Sequence, residues 1–516
     1  MTQSIAPSDF TAEQAIHRDI AVIDVGSNSV RLVHFRVEGR SLWPIFNEKV
    51  MAGLGRGVKQ TGKLHPEGRE IALRALKRFQ RLLDAKGVGD RHVVATAAVR
   101  NAADGPEFIA QVAARTGFVV RVLSGEDEAR LSAMGVGAGI PDAQGLMGDL
   151  GGSSLELTVM HGGLPGRGVS TALGPQEVLG EGAMDEAATL AAIDARLLAT
   201  RQLTGQGGAF YAVGGAWRAL GQLAFARFDY PLNVVHEFAL SGPQADELTR
   251  LAAQLSPAEL RGTPGVSSRR VSSLPYAAML LRRIMHHGGF EQLVFSAFGV
   301  REGVLASGLP PALLAQDPLI AGAEAMARPN APTPDFGRAL ARWLVPAFGA
   351  LETAFGDVRD QILHEAATRL TDLGARQHPD HRADLVRGIV LYAPFAGVSH
   401  AERVFLAAAI HYRYAGKRAV LEDDPIFQLI TADQHKLAQM LGLSLRLGAK
   451  LSGRSPALLD RYALTVSPDV IRLEVDESVR DLYVERSVAL LDQLAAAVGR
   501  TGEVVYVSGL GREAGR

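Results

Sequence analysis

The chain has 516 residues, with 54 Lys plus Arg against 55 Asp plus Glu, a formal net charge of -1 and no cysteine. That length exceeds what a single core supports, so about two to four domains are expected, and the charge balance excludes a global basic field for nucleic acid. The missing cysteines exclude disulfides, thiolate nucleophiles and Cys-based zinc sites, and no apolar run approaches the roughly 18 residues of a spanning helix, so a cytoplasmic protein without a membrane partner is expected.

Residues 1–18 are polar and acidic where a signal peptide needs an apolar core, and read as a flexible tail. Ile20–Asp24 and Val30–Phe35 read as strands around a Gly/Ser turn. PEGREIALRALKRFQRLLDAKG then places Ile71, Leu73, Ala75, Leu76, Phe79, Leu82 and Leu83 at helical spacing, with Gly87 as its stop. HVVATAAVRNA, VVRVLSGEDEARL and LMGDLGGSSLEL follow as strand-to-loop transitions, so residues 19–135 and 136–308 read as two α/β domains. Six prolines at 310, 311, 318, 329, 332 and 334 mark 309–335 as a linker. Residues 336–516 show helical periodicity rich in Ala, Leu and Arg, with strand signals returning in YALTVSPDVIRLEVDE, so a mostly helical domain with a small sheet is expected.

Two stretches repeat at an offset of 125 residues: IAVIDVGSNSVRLV (Ile20–Val33) and GLMGDLGGSSLELTV (Gly145–Val159) match Asp24 to Asp149, Gly26 to Gly151, Ser29 to Ser154 and Leu32 to Leu157. An aspartate before glycine is a common turn former, but a turn need not reproduce the following Gly, Ser and apolar alternation. A bare tip of this kind suits phosphate. Backbone N–H groups close on the anion, seryl hydroxyls add donors, and a carboxylate holds a neutralising metal. Two facing tips would grip one phosphate chain from both sides.

Glu126, Asp127 and Glu128 stand together after the strand VVRVL. A solvated helix start accounts for such a run, and so does a carboxylate that orients attacking water; the residues alone do not choose among the three. Arg31 and Arg100 follow apolar strands, and guanidinium groups bind phosphate oxygens in pairs. Gly214 and Gly215 in GGAWRAL open a helix whose N-terminus is an anion seat.

IDVGSNSVRL, ATAAVRNA, SGEDEARL, GDLGGSSLEL and AVGGAWRALG occur in the order and approximate spacing of the exopolyphosphatase and guanosine pentaphosphate phosphohydrolase family, which the chain resembles throughout, most strongly over residues 19–308. The resemblance implies two ribonuclease H-like domains of the actin and hexokinase superfamily facing a cleft, then a mostly α-helical HD-like domain without HD chemistry. It implies Glu128 as general base and Asp149 as the magnesium-linked carboxylate, joined by Asp24. Gly151, Gly152, Ser153 and Ser154 would form one phosphate loop, with Gly26, Ser27, Asn28 and Ser29 of the first copy opposed to it. Arg100 would contact the chain near the scissile bond.

The expected activity is removal of terminal phosphates from inorganic polyphosphate with Mg2+, Mn2+ being able to replace it, in a homodimer. The alternative is hydrolysis of guanosine pentaphosphate, with guanosine tetraphosphate as a further ligand; an ATP-dependent kinase and a non-enzymatic polyphosphate sensor are more distant readings. Two departures from the family pattern stand out. VSSRRVSSLP puts Ser268 and Arg269 where relatives carry an acidic pair, and His364 is followed by Glu365 rather than by the Asp of an HD site. His364, Glu365, His378, Asp380 and His381 are therefore read as helix-end and surface groups, and HYRYAGKR (411–418) as a basic helix end, with a polyanion track as its alternative.

Overall fold

A computed structural model describes residues 18–179, 184–203, 207–349, 351–415, 424–482 and 485–510, so the expected tail lies outside the described residues except for Arg18. The chain forms two compact units, residues 1–315 and 316–516. Among the described residues no helix is long and apolar enough to cross a membrane.

The first half of unit one runs β1 (Arg18–Val25), β2 (Val30–Glu38), β3 (Ser41–Val50), α1 (Pro66–Ala85), β4 (Asp90–Ala95), α2 (Ala97–Asn101), α3 (Gly105–Thr116), β5 (Val120–Val122) and α4 (Gly125–Gly139). Its sheet has the order β3-β2-β1-β4-β5, an antiparallel meander continued by parallel β4 and β5. β1 is apolar from Ile20 to Ile23 because both of its faces are covered there. Ala21, Ile23 and Val25 join a core with Leu73, Leu76, Phe79, Phe108 and Val112, whereas Ile20 and Val22 join Leu123, Leu131, Val304 and Leu305 on the other side.

The second half repeats this plan. β6 (Gly145–Leu150), β7 (Leu155–His161) and β8 (Leu164–Thr171) form the meander; α5 (Glu186–Leu198), β9 (Ala209–Val213), α6 (Gly215–Arg227), β10 (Phe238–Ser241), α7 (Gly242–Gln254), α8 (Leu274–Gly288), β11 (Gln292–Phe295) and α9 (Val300–Ser307) complete it. The sheet order is β10-β11-β9-β6-β7-β8, with β9 parallel to β6 as β4 is to β1, and β10 as an antiparallel addition at the edge.

The boundary expected at 135/136 falls inside α4, and the chain has no break there. Leu131 of that helix packs in the core of the first sheet, while Ala133 and Val136 pack with Met147, Met160 and Tyr211 of the second. One helix therefore serves both halves. α9, late in the chain, returns to α4 so closely that a Cβ on Gly303 would lie 1.7 Å from the Leu131 carbonyl oxygen, and one on Gly135 would lie 2.0 Å from that of Gly299. Only glycine admits such backbone approach.

The proline-rich stretch 309–335 is not a structureless linker: it holds helices at Pro311–Leu314 and at α10 (Pro318–Ala327). Each of these two helices carries a proline in its first turn, where the missing N–H costs nothing and the fixed φ already suits a helix. Unit two continues with α11 (Phe336–Phe348), α12 (Asp357–Leu370), α13 (Arg382–Tyr392), α14 (His400–Ala415) and α15 (Ala432–Leu451). A sheet of antiparallel β12 (Tyr462–Val466) and β13 (Val470–Asp476) is completed by β14 (Thr501–Val507), parallel to β13 across α16 (Glu485–Ala497). The Trp343 indole donates to the Tyr462 carbonyl at 2.9 Å and ties α11 to that sheet.

His364 is not a surface group: its ring sits edge-on to Phe348 at 4.6 Å, and burial pushes its pKa down to about 4, so it is neutral. His378 and His381 are exposed, and among the described residues no three His, Asp or Glu side chains converge as a metal site would require. Lys417 and Arg418 of the HYRYAGKR stretch lie outside the described residues.

Candidate active site

The two repeated tips have the same internal geometry. Gly26 N–H donates to the Ser29 carbonyl at 3.0 Å, and Gly151 N–H to the Ser154 carbonyl at 2.9 Å. Across each hairpin the aspartate faces a charged partner in register: Asp24 opposite Arg31, and Asp149 opposite Glu156. The tips also meet. Ser153 Oγ lies 2.9 Å from Ser27 Oγ and 3.2 Å from Gln176 Oε1, and a Cβ on Gly152 would stand 3.1 Å from that of Ser27.

They close one side of a cavity of about 840 Å³, within the range of small-molecule sites. Asp24, Gly26, Ser27, Asn28, Ser29 and Arg31 line it from the first copy, and Asp149, Gly151, Gly152 and Ser154 from the second. Ser153 stands behind as the bridge to Ser27, and Gly214 and Gly215 contribute the start of α6. Gly214 has φ 110, a conformation that L side chains rarely adopt, which turns β9 sharply into the helix.

Of the three consecutive carboxylates only Glu128 lines the cavity. Ser124 caps α4 by accepting from Asp127 N–H at 3.0 Å, and Glu126 faces Arg167 at 3.8 Å, which leaves Glu128 on the inner face. Arg100 does not line the cavity. Its Nη1 donates to Glu128 Oε2 at 3.0 Å and to the Leu123 carbonyl at 2.8 Å, so it positions Glu128 from behind.

Asp149 Oδ2 accepts from Ser132 Oγ at 2.5 Å, one turn along α4 from Glu128, and Asp24 Oδ2 pairs with Arg301 Nη1 at 3.2 Å. The α4–α9 crossing that Gly135 and Gly303 permit is what delivers Ser132 and Arg301 to these two aspartates. Glu302 Oε2 accepts from Gly299 N–H at 2.9 Å and fixes the start of α9.

Two mutually repelling sets of charge share the cavity. Burial raises the pKa of Asp24 and of Asp149, despite the guanidinium and hydroxyl beside them, and raises Glu156 well above the usual carboxylate range with help from Glu128 and Asp149. Glu128 is pushed up to about 7 by burial, against the Arg100 contact. On the other side burial and crowding by Arg270, Arg31, Arg218 and Arg301 bring Lys49 down to about 8, and burial with Arg301 brings Arg31 down to about 10. A polyanion, if bound, would relieve the second set, and a divalent cation the first.

A model of the Ppx/GppA phosphatase family matches residues 32–312. The chain belongs to this family. A second model, the exopolyphosphatase C-terminal domain, matches residues 319–505. An uncharacterized protein of Streptomyces coelicolor is 29% identical over 298 residues, covering 55% of this chain and 88% of that one. Retrograde regulation protein 2 of Saccharomyces cerevisiae is 24% identical over 465 residues, covering 80% and 75%. Among solved structures, the Ppx/GppA family member of Aquifex aeolicus has a TM-score of 0.50 at 24% identity, covering 56% of this chain and 97% of that one. An exopolyphosphatase from Cytophaga hutchinsonii has a TM-score of 0.52 at 22% identity, covering 57% and 99%. At these identities the structures show a shared fold, the actin- and hexokinase-like α/β arrangement of unit one.

The sequence alone did not point to Lys49, Ser132, Glu156, Arg218, Arg270 or Arg301, which the structure brings to the site. Glu156 had a readable signal: it is the 125-residue counterpart of Arg31, so the repeat that assigned Asp149 also put a charge opposite it. Arg301 and Ser132 had none, because they reach the site only through the α4–α9 crossing. Arg270 lies over the start of α6, where a Cβ on Gly215 would stand 2.3 Å from its guanidinium.

These shifts give a pH profile. A Glu128 that serves as the base of a phosphohydrolase must be ionised to accept a proton, and in that role kcat/KM for phosphate release is expected to rise about tenfold per unit up to pH about 7 and to fall above about 8 as Lys49 loses its charge. A kcat/KM flat between pH 5 and 7 contradicts this assignment. Because folded Glu128 holds its proton more tightly than the ordinary carboxyl at 4.5, its contribution to stability declines as pH rises from about 4.5 to about 7.

Proposed function

We propose that the protein is an exopolyphosphatase, hydrolysing the terminal phosphoanhydride of inorganic polyphosphate with activated water. The observation that carries this reading is the contact of the two repeated loops at Ser27 and Ser153 over a cavity that holds Glu128 beside one carboxylate set and beside a set of cations. Glu128 accepts a proton from water as the water oxygen bonds to the terminal phosphorus. The P–O bond to the chain breaks, the bridging oxygen stays on the shortened chain, and orthophosphate leaves. Arg100 holds Glu128 in place, the loop N–H groups and seryl hydroxyls hold the non-bridging oxygens, and Arg31, Lys49, Arg218 and Arg270 neutralise the remaining chain.

Asp149 and Asp24 fit Mg2+. Their donors are hard oxygens, both carboxylates are buried with raised pKa, and two carboxylates completed by phosphate oxygens and water suit an ion that seldom takes an all-protein cage. When bound, it supplies charge neutralisation at the phosphate oxygens. Mn2+ has the same ligand preferences. A homodimer, a cytoplasmic location and an HD-like origin for the helical unit belong to the same reading.

Guanosine pentaphosphate is the second reading, since the same residues suit a 5′ polyphosphate. The cavity lining suits either substrate: among the described residues no aromatic side chain faces it, but Arg56, Arg218 and Arg270 offer guanidinium planes on which a base can stack. Phosphate release from long polyphosphate and from guanosine pentaphosphate, each with and without Mg2+ and then in competition, tests the choice. The expected result is Mg2+-dependent release with polyphosphate as the preferred substrate; preference for the nucleotide reverses it, and no release from either ends the hydrolase reading.

A further inference from the structure

Unit two holds a cavity of about 340 Å³ walled by Arg382, Arg413, Tyr414, Arg446, Lys450 and Arg454. Arg382 opens α13, Arg413 and Tyr414 end α14, Arg446 and Lys450 stand in the last turns of α15, and Arg454 follows that helix. Five cations face one space, and among the described residues no carboxylate lines it. Cations at helix C-termini have an ordinary use, and Arg446 shows it by donating to the Tyr414 carbonyl at 2.7 Å.

The others go beyond that use. Arg413 is only 5% exposed, donates to Thr371 Oγ1 at 3.1 Å and lies 4.9 Å over the Tyr414 ring. It shares one buried carboxylate, Asp372, with Arg454: Arg413 stands 3.8 Å from it and Arg454 2.8 Å. Arg382 lies over the same tyrosine ring at 5.6 Å. Arg454 has φ 68, a left-handed conformation that disfavours a side chain, and the backbone holds it there through Arg454 N–H donating to Ser452 Oγ at 3.2 Å. Burying the Arg413 guanidinium beside a carboxylate that it shares with the partly exposed Arg454 is costly unless a further anion completes it.

We infer that this cavity binds one compact oxyanion of the phosphate class, held by Arg382, Arg413 and Arg454 beside Tyr414, as a ligand site of the helical unit distinct from the catalytic residues. Guanidinium groups present paired donors that match phosphate oxygens, and the planes of Arg382 and Arg413 are steadied against Tyr414. The bound group is free orthophosphate or the end of a phosphate chain, which offer the same oxygens.

Arginine-selective dicarbonyl labelling of the full chain, read by peptide mass spectrometry, tests this with inorganic phosphate as the probe and chloride at equal ionic strength as control. At ten times its dissociation constant, phosphate should slow modification of Arg382 and Arg454 about tenfold. Equal rates in phosphate and chloride overturn the inference, and protection by long polyphosphate without protection by orthophosphate overturns the compact site in favour of a chain track. Arg454→Gly removes one cation and relieves the backbone, so it should fold and lose the protection of Arg382; full protection in this variant also overturns the assignment.

Discussion

Glu128→Gln is expected to lower kcat for phosphate release from polyphosphate by about 10² to 10⁴ while leaving polyphosphate affinity nearly intact. Glutamine keeps the size of the side chain and an oxygen for the Arg100 guanidinium, which donates to Oε2 at 3.0 Å, so the fold around α4 should persist. The proton acceptor is what disappears. The acidic limb of the pH profile, set by a carboxyl raised to about 7, should vanish with it. Steady-state kinetics beside equilibrium binding separate the two effects, and a variant with unchanged kcat removes Glu128 from the reaction.

The second large effect is expected at Asp149→Asn. Ser132 Oγ donates to Asp149 Oδ2, and an amide oxygen still accepts that bond while losing the negative charge that a divalent cation requires. The Mg2+ concentration giving half-maximal rate should rise by at least about 10- to 100-fold, in line with changes around metal ligands, and the rate at saturating Mg2+ should also fall. A Mg2+ titration identical to that of the unsubstituted protein contradicts the metal role of Asp149. Ser132→Ala serves as the milder companion, since it removes only the hydroxyl that orients the carboxylate.

Much of the site was legible because it is written locally and twice. The hairpin tips, their aspartates and their seryl groups lie within short runs whose apolar flanks read as strand, turn and strand, and the repeat revealed that both copies matter. The run of carboxylates by itself left three candidates, the family resemblance pointed to Glu128, and the cap at Ser124, which sets the phase of α4, turns Glu128 inward. What the sequence did not show depends on distant approach. Arg301 meets Asp24 across 277 positions, and nothing near either residue announces it. The close crossing at Gly135 and Gly303 looks in sequence like any small-residue helix. Likewise the boundary at 135/136 was misleading because α4 packs on both sheets, and His364 read as a surface group because its partner Phe348 belongs to another helix. The prolines at 311 and 318 mark helix starts as well as they mark linkers, and composition alone does not distinguish the two.

In the proposed function two loops close over one phosphate chain, and the protein's lack of cysteine gives a clean test. In a Ser27→Cys/Ser153→Cys variant, placed where the two hydroxyl oxygens stand 2.9 Å apart, mild oxidation should form an intramolecular disulfide that clamps the loops together. Polyphosphate with Mg2+ should slow that cross-link, since its phosphates occupy the loops, and the cross-linked protein should no longer bind polyphosphate until it is reduced. Failure of the folded variant to cross-link, or cross-linking that leaves polyphosphate binding untouched, contradicts the paired grip.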